Sequence, residues 1–482
     1  MRLALVCLLA VGCSSVTFLP RKPTLLDRPS LPGSVDSAAP AIAATMPTAG
    51  GVVTPRVIVP TEARLTNGIR VIMLEEHSFP LVALGVVLAR GEVDAPPGAF
   101  DLFMRSLTSG SDLIAPKALH RTLYEYGTRV EVSARKEESH VEAQFLAPLL
   151  ADVVRMVVPT FATPTFDSEE LDKLLDERRR AASRNRDEPG ARAVRELYKL
   201  LYPAGHPYAQ FLEDSPAPLA NVTVDTVRAM RSFVGADDVS VVVTGDFTPA
   251  RLLPLLEQAL HTLKPGATAS KTLDAAQPPL AAHVLAIDHP HDTQARLALG
   301  FLGVKLDDPD YVPLYCLARF IGADAKASLR VEHGLTYGAL GTMYMMRMPA
   351  PVEITAAVNV AGVGQALRDT FGALNKFQTL ESDFSQLERA KSSILSNWPD
   401  TFETVTASMR SLATLAAFGL PADTWIKWRA VVQNLTADDL VRVAKKYLDK
   451  SKAQLVVLGD VARFKADLDA LGIAEVEVRS AH

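Results

Sequence analysis

The chain has 482 residues, of which 48% are hydrophobic and 22% charged. That composition excludes a disordered protein and gives enough apolar material for more than one core. The 50 basic and 55 acidic residues leave a formal charge of -5, with no long-range attraction for nucleic acid or an anionic membrane surface, so a nucleic-acid function is excluded as a working reading.

In chain order, the opening MRLALVCLLAVGC sets one positive charge before a short apolar run that ends in small residues, the layout of a secretory signal over residues 1–12. A run of about ten apolar residues is too short for a permanent membrane span, which needs about 20. Leu9-Ala10-Val11-Gly12-Cys13 resembles the lipobox of bacterial lipoproteins, in which the cysteine is acylated and becomes the mature N-terminus. That resemblance implies a lipid anchor at Cys13 and a place in the cell envelope, with Ser14 and Ser15 pointing to an outer membrane and its periplasmic face. An ordinary cleaved signal is the alternative. Residues 13–55, rich in Ser, Pro and Ala, read as a flexible tether. With Cys13 acylated, Cys316 is the remaining mature cysteine, so no internal disulfide framework exists. Its setting, YVPLYCLARF, predicts an inert core thiol.

The body repeats. NVTVDTVRAMRSF then VSVVVTGDFTP, and NLTADDLVRVAKKYL then AQLVVLGDVA, each read as a capped amphipathic helix followed by a buried strand ending in Gly-Asp. Asn221 and Asn434 lie 213 residues apart, Gly245 and Gly459 214, Gly85 and Gly300 215, and Leu171 and Leu387 216. Four near-equal offsets in one order divide the body into similar halves, 56–265 and 281–482, joined by a linker at 266–280. Strands such as GIRVIML, LVALGVVLAR and RVEVSAR alternate with helices at hairpin spacing. The expected fold class is α+β, each half an antiparallel sheet covered by helices on one face. No Gly-rich phosphate loop follows a first strand, so nucleotide binding has no support.

The run LTNGIRVIMLEEHSFPLVALGVVLARGEVDAPPGAFDLFMRSLTSGS, followed by LYEYGTRVEVSARKEES, a helix from FDSEEL, YPAGHPY and VVVTGDF, resembles the pitrilysin/insulinase family of zinc peptidases. The likeness runs from Arg64 to about Asp460. In that family the helix equivalent to Phe100–Gly110 carries H-x-x-E-H, two imidazoles for zinc and a glutamate that activates water. Here the resemblance places those three positions on Asp101, Met104 and Arg105. A guanidinium has no lone pair to give zinc, and a thioether cannot take a proton from water. The family's further glutamate ligand falls near Arg178–Ser183, and Asp176 and Glu177 reach that place only by a shift of register. His77, His120, His140, His206 and the run His289–Asp292 show no paired ligand spacing, which leaves core or surface histidines as the plain reading; His206 and Tyr208 belong to a family motif with a packing role as the alternative.

SLRVEHGLTYGALG matches the family's second motif, an Arg and a Tyr that reach over zinc from the second half of the molecule or from a partner. Those residues are Arg330 and Tyr337. The alternative is a helix ending at Gly334, with Arg330 solvated and Tyr337 packed at the start of a strand. The combination implies a subunit that is inactive or catalytically dependent, binds no zinc itself, and lends Arg330 and Tyr337 to peptide binding and oxyanion stabilisation in a partner carrying H-x-x-E-H. A lipid-anchored peptide-binding or scaffold protein is the other reading.

Overall fold

The computed structural model describes residues 59–214, 217–266, 273–274, 276–379 and 384–480. The signal at 1–12, the tether at 13–55 with Cys13, and part of the linker lie outside the described residues. From Val57 onward the chain clusters as one unit, Val57–His482. Among the described residues no helix is long and apolar enough to cross a membrane.

Two six-stranded sheets organise this unit. The first contains β1 (Thr61–Arg64), β2 (Arg70–Glu75), β3 (Leu81–Leu88), β4 (Arg129–Ala134), β5 (Ser139–Leu146) and β6 (Val239–Gly245), in the spatial order β1-β2-β6-β3-β5-β4. The second contains β7 (His283–Asp288), β8 (Gln294–Leu302), β9 (Thr336–Met343), β10 (Pro351–Asn359), β11 (Gln454–Gly459) and β12 (Val476–Ser480), in the order β12-β7-β11-β8-β10-β9. Five strands correspond one for one. The sixth differs: β1 joins β2 antiparallel, whereas β12 joins β7 parallel from the other end of the chain. The sheets are α+β as expected but mixed, because β2 pairs with β6, and β7 with β11, in parallel.

The helices that matter are α1 (Ala99–Leu107), α2 (Ser168–Arg186), α3 (Pro189–Leu201), α4 (Tyr311–Lys326), α5 (Val363–Gln378), α6 (Phe384–Ser396), α7 (Val405–Ala417) and α8 (Thr424–Asn434). The starts of several are written in the sequence. Asp167 caps α2 by accepting the Glu170 N–H at 3.0 Å, and Thr404 caps α7 through the Ala407 N–H at 3.1 Å.

Helices cover both faces of each sheet, not one. The inner side chains of β3, Val82, Leu84 and Val86, join a core with α1. Its opposite side chains, Ala83 and Val87, join a second core with Met409, Leu412, Ala413 and Ala416 of α7, a helix of the second half. Reciprocally, Leu197, Tyr198 and Leu201 of α3, from the first half, belong to the core of the second sheet. Each half therefore lends one helix to the other half's sheet. A strand buried on both faces needs apolar residues at every position rather than at alternate ones, which accounts for the unbroken run LVALGVVL in β3.

The repeated glycines mark the crossings. Gly85 pairs across the sheet with Glu142, and Gly300 with Glu353. A Cβ on Gly85 would lie 2.4 Å from Met409 Sδ, and one on Gly300 2.9 Å from both Leu197 methyl carbons. Beside each glycine the paired glutamate holds the visiting helix. Arg410 Nε donates to both Glu142 carboxylate oxygens at 2.9 and 2.8 Å, and Tyr198 Oη donates to Glu353 Oε1 at 2.5 Å.

The two glutamates titrate in opposite directions. Burial works to raise Glu142, but Arg410 and His140 outweigh it and hold the carboxyl at about 2. Burial dominates at Glu353, which is pushed up to about 7 although the Tyr198 hydrogen bond opposes the shift. Against an ordinary glutamate near 4.5, the folded state holds the Glu353 proton more tightly than the unfolded chain. The stability this supplies is complete below 4.5 and lost as pH rises through 7. Glu353→Gln should abolish that slope, so that in urea titrations the variant gains on the wild type between pH 5 and pH 8 by up to about 3 kcal/mol. A gain of equal size at both pH values would contradict the assignment.

Candidate functional site

Helix α1 begins where Gly98 takes a left-handed φ of 80°, and a half-buried carboxylate caps it from outside the helix. Glu92 accepts the Gly98 N–H at 2.8 Å and the Asp101 N–H at 3.2 Å. Burial, reinforced by the Asp101 charge, raises the Glu92 carboxyl, against the pull of the Gly98 N–H and of Arg178 and Lys136. Phe100, Phe103 and Met104 are fully buried, so Met104 is a core residue.

Asp101 and Arg105 share the remaining face, one turn apart. Arg105 Nε sits 2.9 Å from Asp101 Oδ2, and Arg178 Nε from helix α2 approaches the same oxygen at 3.3 Å. Arg178 opens the segment in which the resemblance places the missing glutamate ligand. Asp176 turns instead to Arg179 at 3.4 Å, and Glu177 is exposed. Three of the positions that would gather round a metal thus hold one carboxylate between two guanidinium groups, with a thioether in the core beneath. This donor set does not fit zinc: it offers a single ligand and two fixed positive charges that repel a cation.

The histidines go to other partners. His77 Nδ1 is 2.7 Å from Asp246 on the surface, and His140 is buried 3.4 Å from Glu142. His289 pairs with Asp292 at 3.0 Å. Among the described residues no three His, Cys, Asp or Glu side chains gather in an arrangement able to hold a metal ion. Cys316 is fully buried in α4, and burial pushes its thiol up to about 12, so it stays protonated.

The motif GHPY is a seam between the halves. His206 stacks on Tyr202 with centroids 4.9 Å apart and accepts the Tyr208 N–H on Nδ1 at 3.1 Å. Tyr208 Oη accepts the Met348 N–H at 3.2 Å, and Tyr202 Oη donates to the Pro349 carbonyl at 2.7 Å. Arg347 completes the seam: its N–H donates to Glu137 at 2.8 Å, and its guanidinium to the carbonyls of Ala89 and Ala417. Nothing in the sequence singled out Arg347 or Glu137, since the segments they join are 210 residues apart.

Arg330 and Tyr337 stand elsewhere. Helix α4 widens into a π-helical stretch, Ala327–Glu332, and stops at Gly334, whose φ is 64°. Such stretches recur at functional sites. The stretch is tied down by Asp369 of α5, which accepts from Ser328 Oγ and pairs with His333 Nδ1, both at 3.0 Å. Below it, α4 and β9 meet at two glycines: a Cβ on Gly341 would lie 1.8 Å from the Ala318 carbonyl oxygen. On this support Arg330 is exposed, with Nη1 3.5 Å from the Tyr337 carbonyl oxygen, and Tyr337 is 88% exposed. Tyr337 therefore does not pack as an ordinary strand residue. No hydrogen bond or ion pair among the described residues joins this pair to Asp101, Met104 or Arg105.

The cluster around Asp101 makes a specific prediction about metal. The triple change Asp101→His, Met104→Glu and Arg105→His should leave the purified protein without stoichiometric zinc, because the Arg178 guanidinium still faces position 101 and no third ligand is supplied. Adding Arg178→Glu should confer zinc binding, read by metal analysis after dialysis; zinc in the triple variant would show that Arg178 is no obstacle.

Comparison with known proteins bears on the fold. Residues 221–394 match the family model described as the peptidase M16 inactive domain. A peptidase M16 inactive domain from Pseudomonas fluorescens has the same fold with a TM-score of 0.75 at 20% identity, covering 83% of this chain and 97% of that one. A Helicobacter pylori protease follows at 0.75 and 16%, covering 84% and 100%. A chain of complex III from Candida albicans matches at 0.69 and 14%, covering 85% and 99%. No curated protein sequence matches the chain. Residues 221–394 thus resemble an M16 inactive domain, the two-sheet fold is shared with the solved M16 structures, and the sequence contains no H-x-x-E-H.

Proposed function

We propose that the chain is a catalytically dependent or inactive subunit of a two-chain zinc peptidase, contributing Arg330 and Tyr337 to a site whose zinc is held by a partner with H-x-x-E-H. The observation that carries this reading is a contrast within one molecule. Asp101 lies between Arg105 and Arg178, a donor set unsuited to zinc, while Arg330 and Tyr337 stand exposed on a braced turn with no internal task beyond a 3.5 Å contact. A phenol and a guanidinium held in that way can donate hydrogen bonds to a peptide carbonyl and stabilise negative charge developing on its oxygen.

The test uses the full chain with family subunits from its own cell that carry the zinc motif. Arg330→Ala and Tyr337→Phe should each lower kcat/KM for peptide cleavage by the complex roughly a hundredfold, with complex formation unchanged by size-exclusion chromatography. Cleavage unaffected by both changes would favour the other reading, a lipid-anchored peptide-binding or scaffold subunit.

The reading includes an address. Acylation of Cys13 would fix the chain to the outer membrane facing the periplasm. Mass spectrometry of the mature N-terminus should find a fatty-acylated Cys13, and Cys13→Ala should release the protein from membranes; an unmodified N-terminus elsewhere would refute the anchor.

A further inference from the structure

All three tryptophans of the chain line one cavity. It lies where the β4–β5 loop of the first half meets α4, the β9–β10 loop and α6–α8 of the second, and has a volume of about 630 Å³. Such a volume suits a ligand of several tens of atoms. One wall is a continuous aromatic array. Trp398 and Trp425 meet edge to face at 6.1 Å, Trp425 and Trp428 at 5.3 Å, and Trp428 lies 5.3 Å from Tyr311. Trp425 donates its indole N–H to the Ser411 carbonyl at 3.0 Å, which fixes the ring while its carbon edge remains with the wall. Met343, Met345 and Met346 supply a deformable surface in the same cavity.

The cations around this cavity are committed with one exception. Arg410 is held by Glu142 and Glu131, Arg135 by Glu138 at 2.8 Å, and Lys136 by the carbonyls of Pro207 and Gln210. Glu137 accepts the Arg347 N–H. Arg319, exposed on α4, has no hydrogen bond or ion pair among the described residues, and its neighbours in the helix are Tyr315 and Cys316 rather than a carboxylate. An aromatic wall large enough for a ring or long alkyl group, with a single uncommitted guanidinium, is complementary to one ligand chemistry.

We propose that this cavity binds an amphipathic carboxylate, with an aromatic or long apolar group against the tryptophan wall and the carboxylate on Arg319. Two sources share that chemistry: the C-terminal residue of a peptide and a free fatty acid. The site goes beyond the function proposed above, since neither Arg330 nor Tyr337 lines it.

The tryptophans themselves report occupancy. The full chain is titrated with acetyl-Ala-Ala-Phe bearing a free carboxylate, with the same peptide as its C-terminal amide, and with decanoate. A saturable change in tryptophan emission is expected with at least one of the acids. The Arg319→Gln variant, altered at an exposed position, should bind that acid at least about tenfold more weakly, the effect of losing one charge-assisted hydrogen bond. If the peptide is the ligand, its amide should be weakened to the same degree; if decanoate alone responds, the source is a free acid. No saturable response to either acid, or equal binding by wild type and Arg319→Gln, would overturn the proposal. Arg330→Ala should leave the titration unchanged, so failure here is separable from failure of the proposed trans function.

Discussion

The structure depends on a reciprocal exchange of helices across two related sheets. Helix α7 lies on the first sheet and α3 on the second, and each crosses at a glycine that faces a glutamate on the neighbouring strand. A glycine is required there because the approach leaves no room for a Cβ, and the glutamate is available because strands β5 and β10 pair in the same register with β3 and β8. Neither sheet can bury both faces without a segment from the other half. That is why the body from Val57 onward clusters as one unit although it is built from two repeats.

The two crossings solve the same problem with different chemistry. In the first, Glu142 meets Arg410 and stays ionised; in the second, Glu353 meets a tyrosine and burial drives it toward the neutral acid. A buried carboxylate is tolerated when it is paired or when it keeps its proton, and the repeat shows both solutions at equivalent places. The cluster around Asp101 follows the same logic. Removing a metal and its ligands from a partly buried helix face would leave polar space to be satisfied, and here a carboxylate with two guanidinium groups fills it. The first half thereby carries, on this helix face, a charge arrangement that does not favour a metal cation.

The second half shows the reverse. A π-helical stretch, a glycine with positive φ, the Asp369 clamp and two glycines in close contact all serve to hold a short turn that carries Arg330 and Tyr337 into solvent. Ordinary folding would bury a tyrosine at a strand start. Its 88% exposure on so rigid a support is the feature that internal packing does not explain.

Much of this was legible in the sequence, because local patterns carry it. The offsets from 213 to 216 residues point to a repeat, in keeping with two six-stranded sheets in which five strands correspond, and the lack of any H-x-x-E-H is read from residue identity alone. The buried thiol of Cys316 followed from its apolar setting. Three-dimensional contact decided the rest. That Arg178, and not Asp176 or Glu177, meets Asp101 depends on the rotation of α2, which a single residue of register would change. Helices on both faces of the sheets, the parallel strand pairs, the seam at Arg347 and the gathering of Trp398, Trp425 and Trp428 in one cavity all join residues far apart in the chain. Periodicity reports which face of an element is apolar, but not which distant element will cover it; only the folded chain supplies that partner.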